Sequence, residues 1–419
     1  MAKPKIRFKG YTDDWEQRKL EDLVDRVTRK NQDLVSELPL TISAQYGLID
    51  QNEFFDKRVA SKDVSGYYLI ENGEFAYNKS TSTDAPWGAV KRLDRYENGV
   101  LSTLYIVFGI KKNNPVDSDF LVSYYSTNLW HKGIHEIAAE GARNHGLLNI
   151  APADFFETEL TIPQDIEEQK KIGKYFEELE RLITLHQRKC EETKKLKKYM
   201  LQKMFPQNGQ TVPEIRFAGF TDAWEQRKLG ETCKLNGRIG FRGYTERDIV
   251  TKEAGGVLTF SPTNIVNNKL TMECKNTYIT REKYDESPEI KIANGDILFV
   301  KTGSTLGKSA LVTGLKEDAS INPQIVVVRV EKDSEIFMSN VLITHGIMKQ
   351  VAAVKIGGAV PTMTETELKN LTYFAPVKKE EQKKIGDYFT NLDHFITLHQ
   401  HKCEQLQSMK KFMLQNMFV

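Results

Sequence analysis

Apolar side chains recur at alternating steps of three and four residues in two long stretches of the chain. This heptad spacing is typical of long α-helices that pack along one another. The stretches, residues 167–205 and 380–418, align without insertion at an offset of 213 residues. Each predicts a helix of roughly 57 Å at ~1.5 Å per residue. The predicted seam begins with Ile172, Phe176, Leu179, Ile183 and His186 in the first copy and with Ile385, Phe389, Leu392, Ile396 and His399 in the second. It continues through Cys190, Thr193, Met200 and Met204 and through Cys403, Leu406, Met413 and Met417.

Lysine interrupts the apolar seam once in each copy, at Lys197 and at Lys410. Further apolar side chains flank the seam and widen it. A stripe of this width predicts that each helix contacts more than one partner. The flanking residues of the first copy are Tyr175, Leu182, Leu185, Leu196 and Tyr199.

A shorter segment is also duplicated. Residues 6–20 read IRFKGYTDDWEQRKL and residues 215–229 read IRFAGFTDAWEQRKL. The tryptophan at the same place in both copies, Trp15 and Trp224, is expected to anchor packing.

The two regions between these repeats differ strongly in sequence. Both contain strand-like runs bounded by Asn-Gly turns, so we expect one mixed fold that carries different surface loops. The predicted divisions are residues 1–23 (first repeated segment), 24–164 (first globular domain), 165–208 (central helix and linker), 209–232 (second repeated segment), 233–378 (second globular domain) and 379–419 (C-terminal helix).

Composition narrows the class of protein. Hydrophobic content of 40% and charged content of 28% fit a soluble globular protein, and the formal charge of +2 means that local basic patches must meet any polyanion. No apolar run reaches the ~18 residues of a membrane span, and the charged N-terminus does not resemble a secretory signal. Four cysteines without a paired motif favour a reducing, cytoplasmic location.

The sharpest local motif is Gly303–Ser309, GSTLGKS. A phosphate-binding P-loop needs four residues between its first glycine and the Gly-Lys pair, whereas Gly303 and Gly307 enclose three. The motif is therefore either an ordinary turn between strands or a basic, hydroxyl-rich loop suited to DNA phosphates and base edges. The candidate DNA-binding residues here are Lys301, Thr302, Ser304, Thr305 and Lys308, with Gln324 nearby.

The first globular domain has a comparable polar stretch after its own Asn-Gly turn. Alternating amide, hydroxyl, basic and aromatic groups favour groove reading, although a solvated surface loop is an equal alternative. The candidates are Lys79, Ser80, Thr81, Trp87, Lys91 and Arg92, together with Arg143 and Asn144 in a second polar loop.

Catalytic and metal sites are weakly indicated. His186 and Cys190 with His399 and Cys403 form a possible zinc set, but seam packing is favoured. Asp285 and Glu289 have the residue types of a nuclease without its spacing. The sequence predicts no catalytic residue and no metal site.

These features together resemble the specificity subunit of type I restriction–modification systems. The duplicated helices, the duplicated IRF segments and residues 294–312 (NGDILFVKTGSTLGKSALV) carry the resemblance, which covers the chain end to end. It implies an α+β/α architecture with a pseudo-two-fold internal repeat. Two α/β target recognition domains would be joined by two long helices packed as an antiparallel coiled coil.

The resemblance also implies a function. Each domain would read one half of a bipartite, asymmetric site in double-stranded DNA, and the helices would dock two modification (methyltransferase) subunits. Catalysis would lie in partner subunits, with S-adenosylmethionine for methylation and ATP and Mg in the restriction/translocase subunits. Two alternatives stay open from the residues alone: a coiled-coil adaptor whose domains bind proteins, and an enzyme with its own nuclease or NTPase site.

Overall fold

The structure, a computed structural model, describes residues 3–43, 46–83, 85–113, 116–138, 148–207, 209–237, 244–354 and 360–419. The chain forms two compact units. Unit 1 comprises Met1–Gln187 and His401–Val419, and unit 2 comprises Arg188–Gln400. Each unit therefore holds one globular domain and part of both long helices. The predicted domain boundaries place each long helix in one segment, whereas this division cuts both helices.

Unit 1 contains short strands and helices followed by a 38-residue helix that continues into unit 2. Its elements are β1 (Glu16–Lys19), α1 (Leu20–Leu23), β2 (Val24–Val27), β3 (Leu40–Ser43), β4 (Gly47–Asp50), α2 (Gln51–Phe55), β5 (Tyr68–Glu71), β6 (Phe75–Asn78), β7 (Ala89–Arg92), β8 (Asn98–Leu101), β9 (Ile106–Ile110), α3 (Ser118–Tyr124), α4 (Trp130–Ile137), α5 (Pro152–Phe156), β10 (Glu159–Ile162) and α6 (Ile166–Lys203).

Unit 2 repeats this order with additional strands and ends in a second 38-residue helix, whose final part belongs to unit 1. Its elements are β11 (Glu225–Lys228), α7 (Leu229–Thr232), β12 (Cys233–Asn236), β13 (Ile249–Val250), β14 (Val257–Phe260), β15 (Ile265–Val266), β16 (Lys269–Leu270), β17 (Thr277–Ile279), α8 (Arg281–Asp285), β18 (Ile297–Val300), β19 (Ser309–Leu311), β20 (Ala319–Ile321), β21 (Ile325–Val330), α9 (Glu335–Val341), α10 (His345–Val354), α11 (Glu365–Lys369), β22 (Thr372–Ala375) and α12 (Lys379–Asn416).

Both globular domains are built on the same four-stranded sheet. The strand order is β2-β9-β6-β7 in unit 1 and β12-β21-β18-β19 in unit 2, and every neighbouring pair is antiparallel. In each unit the repeated N-terminal strand also pairs with the strand before the long helix, β1 with β10 and β11 with β22. The predicted common fold is therefore confirmed. The domains differ in their additions, because unit 2 carries a second four-stranded sheet, β13-β17-β14-β20.

The long helices pack antiparallel within each unit. In unit 1 the ring of Phe418 lies 5.7 Å from that of Phe176, and Lys410 pairs with Glu180 further along both helices. In unit 2 the ring of Phe205 lies 6.0 Å from that of Phe389, and Cys190 Sγ lies 3.9 Å from the Ile396 carbonyl oxygen. Residue numbers rise on one helix as they fall on the other.

The predicted seam is largely buried. Ile172, Phe176, Leu179 and Ile183 belong to the core of unit 1, and Ile385, Phe389 and Leu392 belong to the core of unit 2. His186, Ile396 and His399 are half-buried. The buried members pack against the globular domains as well as the opposite helix. The seam role of these residues is confirmed, and a docking role for the set stays a prediction.

The repeated N-terminal segments are fastened to the start of each long helix by equivalent ion pairs. Arg7 donates from Nε and Nη2 to the two carboxylate oxygens of Glu168 at 2.6 and 2.7 Å. Arg216 makes the same bidentate pair with Glu381 at 2.7 and 2.8 Å. The predicted packing role of the tryptophans is confirmed, since Trp15 and Trp224 are both buried.

Among the described residues, none of the helices is both long and apolar enough to span a bilayer.

Candidate nucleic-acid interface

The GSTLGKS motif lies in the hairpin that joins the two neighbouring strands β18 and β19 of the unit 2 core sheet. Backbone hydrogen bonds fix the hairpin on both sides. The Lys301 amide donates to the Gln324 carbonyl at 2.8 Å, and the Gly303 amide donates to the Pro361 carbonyl at 2.9 Å. The Gly307 amide closes the loop onto the Val300 carbonyl at 3.0 Å. The loop is therefore a shaped strand connection, which is not the geometry of a phosphate-binding loop leading into a helix.

The polar side chains of this hairpin face solvent to different degrees. Ser304, Lys308 and Gln324 are exposed, while Lys301, Thr302 and Thr305 are half-buried. Gln324 is held by its neighbour, since its backbone amide donates to Asn322 Oδ1 at 3.0 Å and its Oε1 accepts from Asn322 Nδ2 at 3.1 Å. All six predicted unit 2 residues are thus brought together by one hairpin and the turn beside it. The set supplies two cations, three hydroxyls and one amide.

Unit 1 has the equivalent hairpin, residues 79–88, between β6 and β7. Lys79 is the first residue after β6, and Lys301 is the first residue after β18, so the two lysines occupy equivalent positions. The sequences of the two loops are too different to reveal this equivalence. The Lys79 Nζ lies 3.4 Å from the Ile150 carbonyl, and partial burial lowers the pKa of this lysine. Ser80 is exposed, and Thr81 is half-buried.

A glycine closes both hairpins at the same place. Gly88 precedes β7 with φ of +78°, and Gly307 stands just before β19 with φ of +93°. A Cβ atom on Gly88 would lie 2.2 Å from the Asn78 carbonyl oxygen, and one on Gly307 would lie 2.8 Å from the Met348 Cε. Left-handed backbone and close contact together require glycine at both positions.

Trp87 contributes to packing in unit 1. Its carbonyl accepts from the Tyr77 hydroxyl at 2.9 Å, and its ring meets that of His135 edge-on at 5.0 Å. The indole is half-buried. Its role in DNA contact stays a prediction, and only its exposed edge is available for that role.

Lys91 and Arg92 lie on strand β7 and not on the hairpin. The Arg92 guanidinium pairs with Asp94 at 2.6 Å and with Asp119 at 2.7 Å. A guanidinium held by two carboxylates has little positive charge left to offer a phosphate, so the structure favours a structural role for Arg92. Burial lowers the pKa of Lys91, the Lys410 ammonium adds to this effect and the Glu180 carboxylate opposes it. The sequence-based grouping of these two residues with the hairpin is corrected accordingly.

Arg143 and Asn144 lie outside the described residues, and their DNA contact stays a prediction. The structure adds a segment that the sequence did not single out. Residues 360–363 flank the unit 2 hairpin, where Thr302 bridges to Thr362 and the Met363 amide donates to the Lys301 carbonyl at 2.8 Å. These contacts run through backbone atoms, and backbone pairing leaves no side-chain signal in the sequence.

Within the described part of the chain, no group of three or more His, Cys, Asp or Glu side chains is placed to hold a metal ion. The side chains of each hairpin are donors and acceptors for base edges and phosphates. A duplicated frame that carries two dissimilar domains, each with such a hairpin, indicates a DNA-recognition protein.

Comparison with known proteins specifies the class. Residues 12–195 and 221–408 match the family described as "Type I restriction modification DNA specificity domain". The chain belongs to this family, once in each half.

Two relatives illustrate the similarity. The specificity subunit of the type I restriction enzyme MjaVIII from Methanocaldococcus jannaschii is 22% identical over 75% of this chain and 72% of its own length. The crystal structure of a type I restriction–modification S subunit from M. genitalium superposes with a TM-score of 0.60 at 13% identity, covering 100% of this chain and 99% of that one. At that identity the structure shows a shared fold.

The protein is a non-catalytic DNA-specificity subunit with two target recognition domains. Family membership does not favour the coiled-coil adaptor, and it places catalysis in partner subunits.

Proposed function

We propose that each globular domain reads one half of a bipartite, asymmetric site in double-stranded DNA through its β6–β7 or β18–β19 hairpin. The observation that carries this proposal is that the two core sheets have the same strand order and bear hairpins of dissimilar sequence. A constant sheet with a variable polar loop allows the base contacts to change while the supporting fold is kept.

The hairpins divide into positioning and reading groups. Lys301 and Lys308 in unit 2 and Lys79 in unit 1 neutralise phosphates, which fixes the register on the duplex without specifying sequence. The exposed Ser80, Ser304 and Gln324, with Thr305, donate to and accept from base edges in the groove. Gln324 suits adenine, because its amide can bond N6 and N7 together.

An exposed apolar stripe on the long helices supplies the docking surface for two modification subunits. Six large apolar side chains of the helices are exposed, and each lies one position before a seam position: Leu196, Tyr199, Phe395, Leu398, Met409 and Phe412. Leu196 and Tyr199 recur as Met409 and Phe412 at the offset of 213 residues, whereas Phe395 and Leu398 correspond to the half-buried Leu182 and Leu185. Large apolar residues left in water on a soluble helix pair mark an interaction surface. The recurring pair, Leu196 and Tyr199 on α6 and Met409 and Phe412 on α12, gives two equivalent exposed apolar patches for two copies of the same subunit.

The proposed complex divides its chemistry among its chains. S-adenosylmethionine binds the modification subunits, and ATP and Mg bind the restriction/translocase subunits that join them. This chain supplies sequence choice and spacing to that assembly.

Methylation mapping in cells that carry this chain and its cognate modification subunit tests the proposal. We expect one bipartite motif with a methylated adenine. Replacing residues 301–308 by the hairpin of another family member should change one half of the motif and leave the other half and the spacer unchanged. A change in both halves, or in neither, contradicts the assignment of one hairpin to one half-site.

A further inference from the structure

A groove of about 1000 Å³ lies within unit 1, between the globular domain and the two helices. Ile183 and Phe418, which are buried, and the half-buried Leu414 form its apolar floor. Its rim is polar and includes Thr184, Gln187 and Gln407. Apolar clefts with a few polar groups around them are the usual form of a binding site for a compact side chain or ligand.

The groove carries uncompensated positive charge. Among the described residues that line the groove, Glu180 is the one acidic residue, and it already pairs with Lys410. Lys411 is exposed on the rim, and Arg95 rests over the Tyr46 ring at 5.6 Å. Among the described residues, no carboxylate pairs with Lys411, Arg95 or the neighbouring Lys91. Burial and the nearby Lys410 ammonium lower the pKa of Lys91, while the Glu180 carboxylate opposes this effect.

In unit 2 the equivalent helix surface is covered by another part of the chain. Lys269, on β16, reaches α12 and donates from Nζ to the Asp393 carbonyl at 3.1 Å and to Thr397 Oγ1 at 2.7 Å. Asp393 and Thr397 stand 213 residues after Glu180 and Thr184, the groove residues of unit 1. This helix surface is thus covered by the chain itself in unit 2 and left open in unit 1.

Two cations beside the groove, Lys91 and Arg95, are particular to unit 1. The strand pairing Tyr77–Val90 corresponds to Phe299–Ser309, which places Ala310 at the position of Lys91. Continuing the same register places Gly314 at the position of Arg95. Lys91 and Arg95 therefore have no cationic counterpart at the covered surface of unit 2, whereas Lys411 corresponds to Lys198.

We propose that this groove binds an acidic segment of a partner protein that also carries a large apolar side chain. The apolar floor takes the side chain, and Arg95 and Lys411 pair with flanking carboxylates. DNA fits the site less well, because a phosphate backbone offers no apolar group for the floor. Arg95 also follows β7 at the end opposite the 79–88 hairpin, away from the proposed reading surface.

Binding of labelled peptides to the full-length chain tests the proposal. The probe is a short fluorescein-labelled peptide in which Glu and Asp alternate with Leu and Phe, followed by fluorescence anisotropy. The competitors are an equally charged peptide with glycine at the apolar positions and a short DNA duplex. We expect the glycine peptide and the duplex to displace the probe at least about tenfold less well than the unlabelled probe does.

Charge reversal locates the site. Arg95→Glu, Lys411→Glu and the milder Gln407→Glu should each weaken binding by about tenfold, because like charges then face each other across the contact. The matched control is Lys198→Glu, which reverses the exposed lysine at the repeat position of Lys411 in unit 2 and should leave binding unchanged. The proposal is overturned if Lys198→Glu loses as much peptide affinity as the groove variants do, or if a folded groove variant loses none. It is also overturned if the DNA duplex displaces the labelled peptide as well as the unlabelled peptide does. Thermal melting establishes that each variant is folded, and Gln407→Glu serves if a larger substitution is not tolerated.

Discussion

Lys197 donates to Asp393 at 2.6 Å across the helix pair of unit 2, and both side chains are largely buried, at 13% and 28% exposure. The residues 213 positions away, Lys410 and Glu180, make the same pair in unit 1. The two breaks in the heptad pattern are therefore satisfied interhelical ion pairs at equivalent positions. A polar pair at one seam position also favours one register of the two helices over its neighbours.

Removing one partner of this pair should destabilise unit 2. Lys197→Met leaves the Asp393 carboxylate without its partner in a low-dielectric seam, at an expected cost of about 1–3 kcal/mol in the free energy of unfolding. The double variant Lys197→Met/Asp393→Leu should recover most of that loss, because an apolar pair replaces an ionic one at little cost. Urea denaturation of the four proteins of this cycle measures the coupling. Lys198→Met, at an exposed neighbouring position, is the control, and a cycle with no coupling would contradict the pairing.

The N-terminal segment should detach when its bidentate ion pair is broken. Arg7→Ala leaves the fully buried Glu168 carboxylate unpaired, with an expected loss of about 3–5 kcal/mol. Arg7→Lys should recover only part of it, since an ammonium cannot match both carboxylate oxygens in the fork geometry. Protease cleavage near the N-terminus, followed with time, reports detachment. Arg216→Ala tests the equivalent pair with Glu381. If either alanine variant resists the protease as well as the wild-type protein does, the ion pair is dispensable.

Lys301→Ala should weaken DNA binding, whereas Arg92→Ala should lower stability. Lys301→Ala should weaken DNA binding of the assembled complex uniformly across sequences and reduce the slope of log affinity against log salt by about 1. Arg92→Ala should leave that slope unchanged and lower the thermal stability of unit 1, because its guanidinium is held by Asp94 and Asp119. Salt titrations and melting curves of both variants separate the roles. A reduced salt slope in Arg92→Ala would restore it to the DNA-contact set.

Base choice at one half-site should depend on the hydroxyl of Thr305. Thr305→Val keeps the shape of the side chain and removes its donor, so discrimination at one base position of the unit 2 half-site should relax by about 1–3 kcal/mol. Methylation of a panel of singly substituted sites measures the effect. Thr83→Val, on the unit 1 hairpin, is the matched control and should leave the unit 2 half-site unchanged.

Stability at high pH should fall because of Cys233. Burial raises the pKa of this thiol from 9.0 to about 12, so the folded state holds the proton where the unfolded state has released it. The neutral thiol's contribution is complete below pH 9 and is lost as the pH rises from 9 to 12. Denaturant midpoints measured across this range should decline less steeply in Cys233→Val than in wild type. Parallel declines would place the alkaline sensitivity on other groups, of which the buried tyrosines are the first to test.

Repetition is what made the architecture predictable. Two 38-residue helices, a duplicated N-terminal strand and a common domain fold follow from residues that recur at fixed offsets. The buried seam follows equally, because a heptad period can be satisfied only by burying one stripe against a partner helix.

The sequence predicted the grouping of the candidate residues correctly in unit 2 and only in part in unit 1. The GSTLGKS residues were found because their motif is local, and a local motif survives folding as one loop. Lys91 and Arg92 were misgrouped because they follow the polar loop in sequence, whereas the pairing of Asn78 with Ala89 ends the hairpin before them. Arg92 pairs with the neighbouring Asp94 and with Asp119, which is remote in sequence, and the helix residues that shift the pKa of Lys91 are more remote still.

The sequence by itself therefore determined the duplicated frame, the helix lengths and the family, all of which depend on periodicity and recurrence along the chain. The tertiary structure decided which lysines are paired, which hydroxyls face outward and where the open groove lies. Those properties depend on distances between residues far apart in the chain, and a pattern of neighbouring residues does not specify such distances. Lys197 and Lys410 show the difference. Their positions in the helices follow from the sequence, whereas their partners, Asp393 and Glu180, are known only from the structure.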